Sequence, residues 1–300
     1  MIKLDLHMHS TVSDGTDTPR ELLQRVREKG IGLFALTDHD AIKGYGMIRD
    51  IRAEADPRVL PGVEFSCRDE EGKYHILGYN FDPDSAPIRE VVALGHRYRM
   101  EKLDARLEFI AGQFGFTFPE NARQRLYTLD NPGKPHIANM MVEYGYAPSK
   151  EVAIHDYLNQ GRFPEAYVRP EQAIRGILDS GGIPVLAHPA YGSGDEWIVG
   201  AEMEARLRRL IGFGLQGVEG FYSGFTPALI RETLCFAGKY DLYVTAGSDY
   251  HGKNKMIELG DTSLDSAAGI PGGLWRFLEA VGVPFKGEAC NARWSAIASG

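Results

Sequence analysis

Short apolar runs alternate with amphipathic stretches along most of this 300-residue chain, and nothing else restricts its fold as much. Residues 2–6, 31–37, 59–65 and 73–81 read as strands, with helices at 19–29 and 42–55 between them. Thr18 caps the first helix, Pro19 sits in its first turn, Leu22, Leu23 and Val26 form its apolar face, and Gly30 ends it. The pattern changes at residues 87–167, which are mostly helical, with helices expected at 91–114, 135–143 and 150–160 and no strand of comparable quality. This stretch reads as an inserted helical subdomain, bounded by Pro87 and by residues 164–170. The alternation then resumes with helices at 171–180, 202–213, 227–239 and 273–281 and strands at 183–187, 217–221 and 242–246. Strands separated by helices imply a mainly parallel sheet. About seven such units close most naturally as a barrel of the TIM type. The expected architecture is an α/β barrel over residues 1–86 and 168–300, carrying a helical cap over 87–167.

The titratable residues collect where the strands end. His7 and His9 follow the first strand two positions apart, so on an extended chain both rings point to one side. Asp14 follows in a Ser-Asp-Gly turn. Asp38 and His39 end the second strand, Glu64 lies near the end of the third, and His75 lies within the fourth. His188 follows a later strand, and Asp249 and His251 follow the last. Each has a bland reading of its own: a loop histidine, a hydrogen-bonded core histidine, a turn residue, a helix cap. Their joint placement points instead to one face of a parallel barrel, where such folds build active sites. Asp38 is expected to orient the ring of His39 rather than to bind an ion, and His96 and His155 to lie on the surface. Imidazoles and carboxylates without thiolates suit Mn, Fe or Zn used catalytically. Nine candidate ligands are too many for one ion and suit two or three. Such clusters favour in-line displacement at phosphorus.

Composition narrows the partners. A net charge of −8 argues against broad, sequence-independent nucleic-acid binding, though not against a small basic pocket for a phosphate. No apolar run is long enough to span a bilayer, and a strand with polar residues follows Met1 where a signal peptide would need an apolar core. Cys67, Cys235 and Cys290 are widely spaced and odd in number, so neither a disulfide framework nor a thiolate zinc site is expected. A reducing cytoplasm is the simplest location.

Asp-Leu-His-Met-His-Ser at 5–10, Thr-Asp-His-Asp at 37–40, Gly-Val-Glu-Phe at 62–65, His75, Ala-His-Pro at 187–189 and Gly-Ser-Asp-Tyr-His at 247–251 resemble the motif set of the PHP (polymerase and histidinol phosphatase) superfamily. The resemblance covers essentially the whole chain outside the insertion. It implies a distorted seven-stranded (β/α) barrel with a trinuclear metal site. The first ion would take His7, His9, Glu64 and Asp249, the second Glu64, His75 and His188, and the third Asp14, His39 and His251. A hydroxide bridging the first two ions would be the nucleophile. Asp14 stands where other branches carry His, which bears on the third ion. The helical insert, with Gly-Lys-Pro-His-Ile-Ala at 133–138, resembles the TrpH/YciV branch, phosphoesterases of nucleotides that include adenosine 3′,5′-bisphosphate and the 5′ ends of short RNA. That branch usually carries Arg where this chain has Lys134.

The expected reaction is therefore hydrolysis of a phosphate ester of a nucleotide or short oligonucleotide, with no membrane or protein partner. His188 and Asp249 are the expected catalytic residues, and the leaving oxygen takes its proton from His188 or a metal-bound water. The insertion is expected to supply cations for the non-reacting phosphate from among Arg97, Lys134, His136 and Arg162, with Lys134 at a helix N-terminus that itself favours anions. Tyr127, Tyr157 and Tyr167 are the candidates to stack on a base. A phosphatase of a small metabolite such as histidinol phosphate is the rival enzyme, and a catalytically silent accessory module the rival outside enzymes.

Overall fold

The structure, a computed structural model, describes residues 3–163, 166–192, 196–264 and 271–283. Cys290 and residues 164–165 of the expected cap boundary lie outside the described residues. The fold is α/β, with two sheets among the described residues, one parallel and one mixed. One runs β1 (Leu4–Asp5), β2 (Leu33–Ala35), β3 (Arg58–Leu60), all parallel. The other runs β4 (Gly62–Arg68), β5 (Lys73–Tyr79), β6 (Ile183–Leu186), β7 (Gly217–Tyr222), β8 (Tyr243–Gly247). In the second sheet β5 is antiparallel to both β4 and β6, while β6, β7 and β8 are parallel. Among the described strands the pairing is mainly parallel, as expected, and β5 alone departs from it: β4 and β5 have no helix between them, and their short connection makes that pair antiparallel, while β6 follows the insertion and pairs antiparallel to β5.

The expected single strand at 59–65 is two. Pro61 has no N–H for a ladder, and a Cβ on Gly62 would stand 2.6 Å from the Leu36 carbonyl oxygen, so the chain changes sheets at this pair. Backbone bonds tie the two sheets along both edges. Leu6 N–H donates to Ala246 O at 3.0 Å and Asp249 N–H to His7 O at 2.8 Å. On the other side Asp40 N–H donates to Glu64 O at 2.9 Å. These bonds draw the ends of β1, β2, β4 and β8 together, and the candidate ligands stand there.

Helices α1 (Pro19–Glu28), α2 (Lys43–Ile51), α3 (Ala86–Phe114), α4 (Glu120–Tyr127), α5 (Lys134–Glu143), α6 (Lys150–Val152), α7 (Pro170–Asp179), α8 (Gly200–Phe213), α9 (Pro227–Lys239) and α10 (Gly272–Ala280) fill the connections. The start of α1 is a capping box in which Thr18 and Glu21 exchange bonds. α4 was not expected, and residues 150–160 form α6, a π-helical turn and a 3-10 turn rather than one helix. The insertion has a core of its own, with Leu103, Ile110, Ala122, Ile137, Met141 and Leu158 fully or almost fully buried. α3 joins that core to the main one: Ile88 and Val91, in its first two turns, pack with the sheet side chains.

Candidate metal centre

The nine expected ligands converge: ring nitrogens of His7, His9, His39, His75 and His188 lie 2.9–3.3 Å from Glu64 oxygens, Asp249 approaches His7 and His9, and His251 lies 3.3 Å from Asp14. His7 Nε2 lies 3.2 Å from Glu64 Oε2 and 3.4 Å from Asp249 Oδ1. His9 Nε2 lies 3.1 Å and 3.3 Å from the same two oxygens. One ligand atom from each of these four residues falls within 4.8 Å of the others. His39, Glu64 and His75 form a second such group, and His9, Asp14, His39 and His251 a third. His188 Nε2 adds to the second group at 3.3 Å from Glu64 Oε1, beside His75 Nδ1 at 2.9 Å. Glu64 is therefore common to two groups, and His9 and His39 each reach toward Asp14.

Several of these atoms are buried without a hydrogen-bond partner: His7 Nε2, His9 Nε2, Asp14 Oδ1, Glu64 Oε2 and His75 Nδ1. Buried polar atoms in folded proteins are nearly always satisfied. Five orphans spread over three adjoining groups fit a set of cations, and a donor set of nitrogen and oxygen without sulfur fits Mn, Fe or Zn. The electrostatics agree. Burial alone raises the pKa of Glu64, yet the rings of His7, His39 and His75 outweigh it and hold the carboxyl well below its ordinary range. Asp249 is held down against burial by His7 and Lys255, and Asp14 by His251 and His39. Burial lowers His9, but the carboxylates of Asp249 and Glu64 close to its ring carry it up to about 9.

Strand ends aim these side chains at some local cost. His188 has φ of 25° and Asp249 of 58°, left-handed values that non-glycine residues seldom adopt and that cost of order 1–3 kcal/mol each. Glu219 offsets part of this. It is fully buried on β7 beside an irregularity between Glu219 and Phe221. Its Oε1 meets His7 Nδ1 at 3.0 Å, and its Oε2 accepts the backbone N–H of His188 at 2.8 Å. Asp249 Oδ2 is held from outside by the Tyr222 hydroxyl at 2.9 Å and by Lys255. Asp38 does not orient His39. It accepts from Ser10 N–H at 2.7 Å, Ser10 Oγ–H at 2.8 Å and Ser13 Oγ–H at 2.7 Å, which pins the loop carrying His9 and Asp14.

The PHP domain profile matches residues 5–144. The 5′-3′ exoribonuclease Rnm of Salmonella typhimurium is 31% identical over 92% of this chain and 93% of its own length. The chain belongs to the PHP family. A 3′,5′-nucleoside bisphosphate phosphatase of Chromobacterium violaceum is 28% identical over 93% of this chain and 98% of its own. A crystal structure from Bifidobacterium adolescentis, assigned as a metal-dependent phosphoesterase, is 28% identical, covers 86% of this chain and 91% of its own, and superposes with a TM-score of 0.75.

In this PHP chain a cavity of about 340 Å³ opens from the metal side, at Asp14, His39 and His75, toward the inserted helices. Of the four expected substrate cations, only Lys134 lines it, with its ammonium donating to Asn159 Oδ1 at 2.7 Å. His136 is not a wall residue. Its Nδ1 accepts Gly133 N–H at 3.1 Å and closes the first turn of α5, and burial lowers its pKa. Arg97 is exposed on α3, with its guanidinium 5.7 Å from the centre of the Tyr98 ring, and Arg162 is also exposed; neither lines the cavity. The α3 side chains that do are Tyr98, Arg99, Lys102 and Arg106. Among the three tyrosines, Tyr167 lines it, while Tyr157 packs against Phe114 and Phe116 and Tyr127 donates to Asp104 at 2.5 Å. His155 is exposed as expected, whereas His96 is half-buried with Nδ1 at 2.7 Å from Asp130 O.

Proposed function

We propose that the chain is a metal-dependent phosphoesterase that hydrolyses a phosphate ester of a nucleotide or short oligonucleotide. The observation that carries this reading is a buried cluster of imidazoles and carboxylates, linked through Glu64 and opening into a cavity walled by cations. Two or three divalent ions, of Mn, Fe or Zn, are assigned to it. His7, His9, Glu64 and Asp249 would hold the first, Glu64, His75 and His188 the second, and Asp14, His39 and His251 the third. Bound ions supply a nucleophilic water at neutral pH and shield the phosphoryl oxygens as charge develops. The chain itself orients the pieces. Glu219 fixes the ring of His7, while Tyr222 and Lys255 fix the carboxylate of Asp249. His188, with Nε2 turned to Glu64, or a water of the site is the candidate to supply the proton to the leaving oxygen.

The two sheets are read as one distorted (β/α)7 barrel over residues 1–86 and 168–300, a reading supported by the edge bonds at Leu6–Ala246 and Asp40–Glu64. Residues 87–167 are read as a cap that helps wall the cavity. A cytoplasmic location is proposed; no helix among the described residues is long and apolar enough to cross a membrane.

The test is product release by the Mn-loaded protein from adenosine 3′,5′-bisphosphate, a 5′-phosphorylated short RNA and histidinol phosphate. Release from one of the first two, at least about tenfold faster than from histidinol phosphate, is expected. Fastest release from histidinol phosphate would move the protein to the small-metabolite class, and release from none would remove the enzyme reading.

A further inference from the structure

Besides Asp14, His39 and His75, the cavity wall carries cations from α3 that the candidate ligand groups do not include. α3 crosses the cavity with Gly95, Tyr98, Arg99, Lys102 and Arg106 on its wall. These positions recur every three to four residues, so they form one stripe of the helix. Gly95 opens the stripe: a Cβ there would stand 2.9 Å from Asp40 Cβ, so the helix could not approach as closely with a larger residue. Arg99 closes the metal end, with Nε–H donating to Asp40 Oδ2 at 2.6 Å and a terminal N–H to Ser66 Oγ at 2.8 Å. Lys102 and Arg106 lie farther in, the latter about 10 Å along the axis from Arg99 by helical rise.

Neither of these two cations has a carboxylate partner among the described residues. The ammonium of Lys102, only 7% exposed, stands 2.9 Å above the centre of the Tyr167 ring. Arg106 lies over the ring of Phe163 at 5.5 Å, and its Nε is buried without a partner. Burial, with the charges of Arg99 and Arg106, pushes Lys102 down to about 7, while Asp40 pulls the other way. Asn131 supplies an independent sign. It lines the same cavity, is 2% exposed, and leaves both its amide nitrogen and its amide oxygen unpartnered. A buried amide with both ends unpaired is costly unless a ligand completes it. The polar surface is therefore that of a site awaiting a charged, hydroxylated molecule.

We propose that Lys102, Arg106 and Asn131 form a subsite for a second phosphate group of the substrate, remote from the one that is cleaved, with the Asn131 amide pairing a sugar hydroxyl next to it. This rests on the phosphoesterase reading above. The second phosphate is either the other monoester of a nucleoside bisphosphate or the next phosphodiester of a short oligonucleotide. Both present the non-bridging oxygens that an ammonium and a guanidinium bind.

The experiment compares kcat/KM on adenosine 3′,5′-bisphosphate, a 5′-phosphorylated dinucleotide and p-nitrophenyl phosphate, which has no second phosphate, in wild type, Lys102→Met, Arg106→Met and Asn131→Asp. Asn131→Asp is nearly isosteric and places a negative charge in the cavity, so it serves even if a cation variant folds poorly. The expected result is a fall of about 10- to 100-fold in the ratio of kcat/KM for a two-phosphate substrate over p-nitrophenyl phosphate, carried mainly by KM. Arg106→Lys should recover part of it. A fall seen only with the bisphosphate assigns the subsite to a terminal phosphate, and one seen only with the dinucleotide assigns it to an internucleotide phosphate. A ratio unchanged in every variant, or an equal loss on all three substrates, overturns the subsite. If the wild type cleaves none of the three, the phosphoesterase reading fails separately. Calorimetric titration of adenosine 3′,5′-bisphosphate against AMP then decides the subsite alone, and no preference for the bisphosphate in wild type overturns it.

Discussion

Glu219 shows how one carboxylate can govern a centre it does not enter. A neutral imidazole carries one proton, and a carboxylate at Nδ1 keeps that proton there, which leaves the Nε2 lone pair of His7 directed at Glu64 and Asp249. The other oxygen of Glu219 holds the N–H of His188 in its left-handed turn. One side chain thus sets a member of the first proposed ion site and a member of the second. Glu219→Gln keeps the shape but cannot do both tasks, because its amide nitrogen does not accept the His188 N–H. The variant should fold, and its Mn affinity should fall about 10- to 100-fold, read by dialysis and elemental analysis. Wild-type metal content and affinity in the variant would sink this role. The nine candidate ligands were legible in the sequence because histidines and acids are rare at the ends of apolar strands. Glu219 was not, since an acid within an apolar strand carries no mark of which ring it will face.

At the scale of elements, strand ends were easier to read than helix faces. α3 carries charge all round, so its sequence gives the spacing of Arg97, Arg99, Lys102 and Arg106 but not the phase that turns three of them inward and Arg97 out. That phase is set by Ile88 and Val91 packing on the sheets and by Gly95 pressing against Asp40. The hairpin of β4 and β5 was visible as two strands without a helix, but the alternation elsewhere masked its antiparallel sense. The close approach of β8 to the chain after β1 was not visible. A Cβ on Gly247 would overlap His7 Cβ and stand 2.6 Å from Glu219 Oε1 and 3.0 Å from His7 N. Gly247→Ala should therefore displace His7 and the strand that carries it. The expected outcome is a melting temperature several degrees lower and loss of about one equivalent of bound Mn. An alanine variant with full metal content and wild-type melting would show that the two segments do not need this closeness.

The whole molecule distributes the proposed centre over both sheets. His7, His9 and His39 follow strands of the three-stranded sheet, while Glu64, His75, His188, Asp249 and His251 belong to the five-stranded one or its ends. Between the sheets run backbone bonds such as Leu6–Ala246, His7–Asp249 and Asp40–Glu64, side-chain bonds from Ser248 to Asp5, and a shared apolar core that includes Leu6, Val63 and Ala246. Ions bound by this set would act as cross-links along that junction, whereas the cap has a separate core around Leu103, Ile137 and Met141. A ligand at a hundred times its dissociation constant stabilises the native state by about 2.7 kcal/mol, so removing two or three ions should lower the melting temperature by roughly 5 °C or more. The loss should be local. After chelation, amide exchange should quicken at Leu6, Asp40 and Asp249, whose N–H groups cross the junction, and stay nearly unchanged at Leu107 and Ile137 in the cap. Adding Mn back should reverse both effects. Uniform acceleration over the cap and the sheets would mean that the ions support global folding rather than the joint between the sheets, and no change anywhere would mean that the cluster does not hold them.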